Sequence, residues 1–208
     1  MRRLTLIIIS LLLSLSAVAK PFELHRGINI SHWLSQSGDR GEKRATKFTR
    51  EDVKFLAECG YDHLRIPIDE EQMFDEQLNP EQEAFALLHN AIGWCKEFDL
   101  KVIVDLHILR SHHFNAESKP LFTEQAAQEQ FYDCWRKISA ELKKYPRSLV
   151  AYELMNEPVA DDPEQWNTIS KQLSGGGTQA GAKTHHHHRL KPLAGIRSGE
   201  ESACTRAG

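Results

Sequence analysis

The chain has 208 residues, 40% hydrophobic and 26% charged, with a formal net charge of −3. That length suits one domain, or one and a half, and that composition excludes gross disorder. A weakly negative balance without any long basic run argues against nucleic acid as the main partner.

Arg2 and Arg3 precede an apolar run from Leu4 to Leu15, closed by Ala17-Val18-Ala19. A basic start, a short apolar stretch and a small-x-small end form the pattern of a cleaved secretory peptide. A membrane anchor would need about 20 apolar residues. Residues 1–19 are therefore expected to be removed after Ala19, leaving a secreted or periplasmic protein with no membrane attachment.

Arg26-Gly27-Ile28-Asn29-Ile30 reads as a first strand. A helix follows over Thr49 to Cys59, with Val53, Phe55, Leu56 and Cys59 at helical spacing and Gly60 at the stop. His63 to Pro67 reads as a second strand that the proline ends. Pro80 begins a longer helix whose apolar stripe is Phe85, Leu88, Ala91, Ile92 and Cys95. Lys101 to His107 is nearly continuous and β-branched, as a strand buried on both faces should be. Thr123 to Lys144 is a third helix, with Phe131, Cys134, Trp135, Ile138 and Leu142 on its apolar face and Thr123 as its expected N-cap. Leu149 to Pro158 reads as the fourth strand, and Pro163 opens a fourth helix.

Strict alternation of strand and helix implies a parallel sheet covered by helices. A doubly wound sheet would bring a glycine-rich first turn, which Gly27 alone does not supply. The predicted fold is therefore α/β, of (β/α)8 TIM-barrel type with four βα units present; eight such units need about 250 residues or more. From Ser174 apolar periodicity stops, and the run His185 to His188 sits among scattered Arg, Lys and Gly. This low-complexity or out-of-frame tail, residues 174–208, is excluded from the fold, leaving 20–173 as the folded part. Cys59, Cys95, Cys134 and Cys204 have no CxxC spacing, so neither a metal site nor a disulfide framework is expected, and buried helix cysteines are the preferred reading.

In a parallel barrel, functional groups gather at the C-terminal ends of the strands. Arg65, Asp105, His107, Asn156 and Glu157 fall there. Asp105 and His107 are two apart and share a face, as do Glu153, Met155 and Glu157, with Glu157 nearest the mouth. Glu153, deeper, should carry a cationic or donor partner, Arg65 or His107 being available.

Asn156-Glu157-Pro158, preceded by Tyr152-Glu153-Leu154-Met155, resembles the acid/base motif of glycoside hydrolase family 5, the large cellulase family. Arg26 to Ile30 resembles its first strand, Leu64-Arg65-Ile66-Pro67 its second and Asp105-Leu106-His107 its third, so the resemblance runs in order from Pro21 to Leu173. It implies that residues 20–173 are part of a catalytic domain, and that Glu157 is the general acid and then the base of a retaining hydrolysis. It further implies that Asn156 bonds the sugar 2-hydroxyl, that Arg65 orients the nucleophilic carboxylate and that His107 contacts the sugar, with no metal or organic cofactor. Retention requires a second carboxylate about 5 Å away. The family carries it on the seventh strand, so no nucleophile is expected in this chain; Glu200 and Glu201, in the tail, have no strand pattern around them.

Other readings stay open beside these. Arg65 fits either the site or a purely structural ion pair with Glu153. His112 and His113 fit either sugar contacts or an exposed loop after the third strand, and Trp33 either stacks on a sugar ring or is buried. Trp94 and Trp135 read as packing residues, and Asp105 as a barrel-interior partner. The implied substrate is polysaccharide, β-1,4-glucan ahead of mannan or xyloglucan, which the sequence does not rank. A non-catalytic carbohydrate-binding or vestigial half-barrel is the alternative. Unpaired first and fourth strands and exposed apolar helix faces would favour self-association.

Overall fold

The computed structural model describes residues 22–175; the predicted leader, Cys204 and the tail from residue 176 lie outside them. Four strands, β1 (Gly27–Asn29), β2 (His63–Asp69), β3 (Lys101–Ile108) and β4 (Val150–Glu153), form one sheet in the order β1-β2-β3-β4 with every pair parallel. Helices α1 (Gly41–Ala45) and α2 (Arg50–Glu58) join β1 to β2, and α3 (Glu70–Met73) and α4 (Gln82–Glu97) join β2 to β3. Helices α5 (Pro120–Thr123) and α6 (Gln125–Leu142) join β3 to β4, and α7 (Pro163–Gly175) follows. The strands step in one direction without the reversal that marks a doubly wound sheet.

One face of the sheet builds the core. Leu64, Ile66, Ile68, Val102, Val104 and Leu106 alternate along β2 and β3 and are fully buried against the helices. The opposite face carries Arg65, Ile103 and His107 and is only partly buried, so β3 is not enclosed on both sides as its composition suggested. The stripes predicted for α4 and α6 are buried throughout. Those apolar helix faces pack on the sheet rather than facing solvent, which corrects that part of the self-association argument. Among the described residues, β1 and β4 are edge strands.

Several boundaries differ from expectation. Pro67 does not end β2, which continues to Asp69. The Arg65 carbonyl accepts the Ile30 N–H at 2.9 Å, so Pro67, two residues on, faces the same flank where β1 has already ended. A missing N–H costs nothing there. Thr123 does not cap α6. Pro120 starts the short helix α5 that ends at Thr123, and Glu124 becomes the N-cap residue without a side-chain bond. α2, by contrast, opens with a full capping box between Thr49 and Asp52. β4 stops at Glu153 instead of running to Pro158.

Cys95 and Cys134 are buried and free. Burial pushes both thiols up, Cys95 to about 12, which leaves them unreactive. Cys59 departs from the expectation: it is half-buried at the C-cap of α2, not in the core. No helix among the described residues is long and apolar enough to cross a membrane.

Candidate active site

Strand register decides which side chains meet. Asn29, Arg65 and Ile103 are partners across the sheet, and two residues further along Pro67, Asp105 and Glu153 are partners in turn. Arg65 therefore stands in mid-strand, one layer below the two carboxylates, and its long side chain reaches up to both. Its Nε and Nη2 donate to Glu153 Oε2 and Oε1 at 2.7 and 2.9 Å, a two-point grip on one carboxylate. Nη2 also lies 2.8 Å from Asp105 Oδ2 and 3.1 Å from Asn156 Oδ1, and Nη1 donates to Asn29 Oδ1 at 2.9 Å. The expected partner of Glu153 is thus Arg65. The Glu153 side chain is 32% exposed, because β4 is an edge.

Asp105 is fully buried and ties the second and third strands together. The oxygen that meets Arg65 also accepts from His107 Nδ1 at 2.7 Å, while Oδ1 has no hydrogen-bond partner. Burial pushes the Asp105 carboxyl above its ordinary range, against the opposing pull of His107 and Arg65. The His107 ring meets Phe114 edge-on at 6.3 Å.

Asp69, at the end of β2, is buried as well and accepts the Gln36 N–H at 2.6 Å. Burial pushes its carboxyl up from 3.8. A group whose folded pKa is raised binds its proton more tightly in the folded chain, so its contribution is greatest below the unfolded value and is lost as pH rises through the folded one. Asp69→Asn keeps an acceptor for Gln36 and removes the titration. The difference in urea midpoint, variant minus wild type, should therefore grow in the variant's favour as pH rises from 4 to 7. A difference that stays constant would show that Asp69 does not titrate with folding.

Beyond Glu153 the chain leaves the pleat. The Leu154 carbonyl accepts the Trp135 indole N–H at 2.9 Å, and the Asn156 N–H donates to the Leu106 carbonyl at 3.2 Å. Met155 is buried, whereas Glu157 is exposed with a φ of 40°. The expected shared face of Glu153, Met155 and Glu157 fails because β4 ends at Glu153 and the two-residue alternation ends with it, Glu157 being left-handed as well. Such a φ costs about 1–3 kcal/mol for a non-glycine and must be held by its surroundings.

His112 is 2% exposed, not part of an exposed loop, and its Nε2 lies 3.2 Å from the Glu157 carbonyl. His113 stays at the rim, stacked on Phe114 at 4.6 Å. Trp33 is 1% exposed, its indole donating to the Arg44 carbonyl at 2.9 Å and its ring against Phe48. No face of Trp33 is free for a sugar, so burial is the correct reading of this residue. One member of the cluster went unnoticed in the sequence, Asn29. Asn29 had a signal, since it is the polar residue at the end of an otherwise buried-type strand. Among the described residues, no group of three His, Cys, Asp or Glu side chains is set to hold a metal ion.

The chain matches the family described as Cellulase (glycosyl hydrolase family 5) over residues 20–179. It belongs to that family. Endoglucanase C of Acetivibrio thermocellus is 30% identical over 149 residues, covering 69% of this chain and 43% of the relative. Cellodextrinase A of Ruminococcus flavefaciens is 31% identical over 150 residues, 70% of this chain and 44% of its own length. Among solved structures, PbGH5A from Prevotella bryantii B14, a glycoside hydrolase family 5 enzyme, superimposes with a TM-score of 0.60 at 19% identity, over 78% of this chain and 52% of that one. Thermotoga maritima Cel5A does so with 0.56 at 22% identity, over 72% and 46%. The family 5 chain described here thus spans less than half the length of the curated relatives it matches, and its four βα units have the TIM-barrel type of fold.

Proposed function

We propose that this cluster is the acid/base side of a retaining β-glycan hydrolase site, acting on β-1,4-glucan. Glu157 protonates the departing glycosidic oxygen and then, as a carboxylate, draws a proton from the attacking water. Asn156 holds the sugar 2-hydroxyl, His107 reaches the same ring through Nε2, and Arg65 keeps a second Nη1 proton for the nucleophilic carboxylate. The orientation of Asn156 carries this reading. Arg65 only donates, so the atom of Asn156 facing it must be Oδ1, and the amide N–H groups are left to face a hydroxyl. The names of the endoglucanase and cellodextrinase relatives support glucan as the substrate class, and the leader pattern of residues 1–19 supports export.

A second reading concerns the chain alone. Four strands are present among the described residues, while the family resemblance assigns the nucleophile to the seventh. The chain by itself then holds β-glucan without cutting it. Both readings are tested by fusing residues 22–175 to the C-terminal half of the Ruminococcus relative. Neither the chain alone nor its Glu157→Gln variant should release reducing sugar from soluble β-glucan. The fusion should, and Glu157→Gln within it should lower kcat about 10²–10⁴-fold, the usual worth of a general acid/base. A fusion that keeps its rate without Glu157 removes this residue from the chemistry. Robust turnover by the chain alone removes the half-site reading.

A further inference from the structure

We propose that His112 is a positioning residue for Glu157: as the neutral imidazole protonated on Nε2, it grips the Glu157 carbonyl and holds the left-handed turn that presents the carboxyl to the cleft. The inference rests on Glu157 being the acid/base group, but its geometry stands independently of that. Glu157 has a φ of 40° and is followed by Pro158, which further restricts the residue before it, so the segment does not hold this shape by itself. Among the described residues, the one polar side chain bonded to its carbonyl is His112.

The surroundings of His112 are built to fix it. Leu109 and His112 exchange backbone hydrogen bonds of 3.0 and 3.1 Å, closing a tight turn directly after β3. Arg110, within that turn, is clamped to the fully buried Glu70 through its backbone N–H at 3.0 Å and its Nη1 at 2.6 Å. Glu70 in turn accepts from Gln130 of α6 at 2.5 Å. The His112 ring then lies edge-on against Phe122 of α5 at 5.6 Å. A carbonyl only accepts, so the facing Nε2 must carry the proton, and Nδ1 is left buried with no partner. A structural histidine placed only to fill space would not leave a buried nitrogen unpaired while aiming the other at a strained backbone. Burial lowers the basicity of the ring, and the charged groups that face it, His113 and Lys119, act in the same direction while the Glu157 carbonyl opposes them. The ring therefore stays neutral and the grip persists through the neutral range.

Nitrogen-15 NMR of the His112 ring in the unmodified chain tests the assignment first. The expected result is a protonated Nε2 and a bare Nδ1 across the neutral range, with any titration displaced below that of an exposed histidine. A ring protonated on Nδ1, or one that titrates like an exposed histidine, overturns the proposal. His112→Phe fills the same space without a donor and should shift the Glu157 carbonyl carbon resonance and weaken cellotetraose binding about tenfold. His112→Gln restores a donor and should recover most of both. Unchanged Glu157 resonances in a folded His112→Phe chain would also overturn it. Failure of the unmodified chain to bind cellotetraose counts against the reading of Glu157 and leaves the ring and carbonyl resonances to decide the role of His112.

Discussion

Arg65→Ala should lower folding stability by about 3 kcal/mol, seen as a fall in urea midpoint, because removing one partner of a buried ion pair strands the other. Two carboxylates are at stake, and they are not equivalent. Glu153 is 32% exposed and regains water when Arg65 is lost, so it contributes little to the cost. Asp105 is fully buried and keeps only His107. Most of the loss should therefore trace to Asp105, and adding Asp105→Asn to Arg65→Ala should recover part of it. Arg65→Lys retains the charge but not the two-point grip on Glu153, and should fall between wild type and Arg65→Ala. Equal midpoints for Arg65→Ala with and without Asp105→Asn would show that the stranded charge is not the cause.

Trp135→Ala is expected to cost about 3–5 kcal/mol, the usual range for emptying a buried aromatic site. Trp135 is buried on α6, packs against Tyr152 at 5.4 Å and donates its indole N–H to the Leu154 carbonyl. It joins the helix layer to the point where β4 releases the chain toward Asn156. Trp135→Phe keeps much of the packing but leaves the carbonyl without its donor, at about 1–2 kcal/mol. That smaller change should also speed hydrogen exchange at the Asn156 amide, which bonds Leu106 just beyond. If Trp135→Phe matches wild type in both midpoint and exchange, the indole bond does not anchor the β4 exit.

Sheet and helices were legible where periodicity was strong. The stripes of α4 and α6 and the strands around Leu64 and Val102 follow from the spacing of apolar residues alone. What the sequence hid is mostly non-local. Arg44, in a short helix without an apolar pattern, is buried among Gln72, Glu81 and Glu83, partners 28 to 39 residues away. The Glu70–Arg110 clamp spans 40 residues and leaves no local mark. In the site, a partner for Glu153 was expected from the cost of burying a glutamate, but the choice of Arg65 over His107 came only from the structure. The burial of Trp33 and His112 was not, since the residue types suit a cleft and a core equally. The Glu157 backbone escaped because period-two reasoning assumes that the strand continues, and β4 stops four residues earlier.

Pro67 shapes how the chain behaves in a crowded solution. On the flank of β2 beyond β1, an incoming strand would look for free amide hydrogens. Pro67 has none, and the Asp69 N–H is already spent on the Leu34 carbonyl at 2.9 Å. At the other end of the sheet, the Val150 N–H goes to the Pro146 carbonyl and the Leu154 carbonyl to Trp135. An open parallel sheet ordinarily invites foreign strands to zip onto it. Here the exposed stretch of β2 and the two ends of β4 are spent on the chain's own groups, which shortens the run of free backbone that an incoming strand could use.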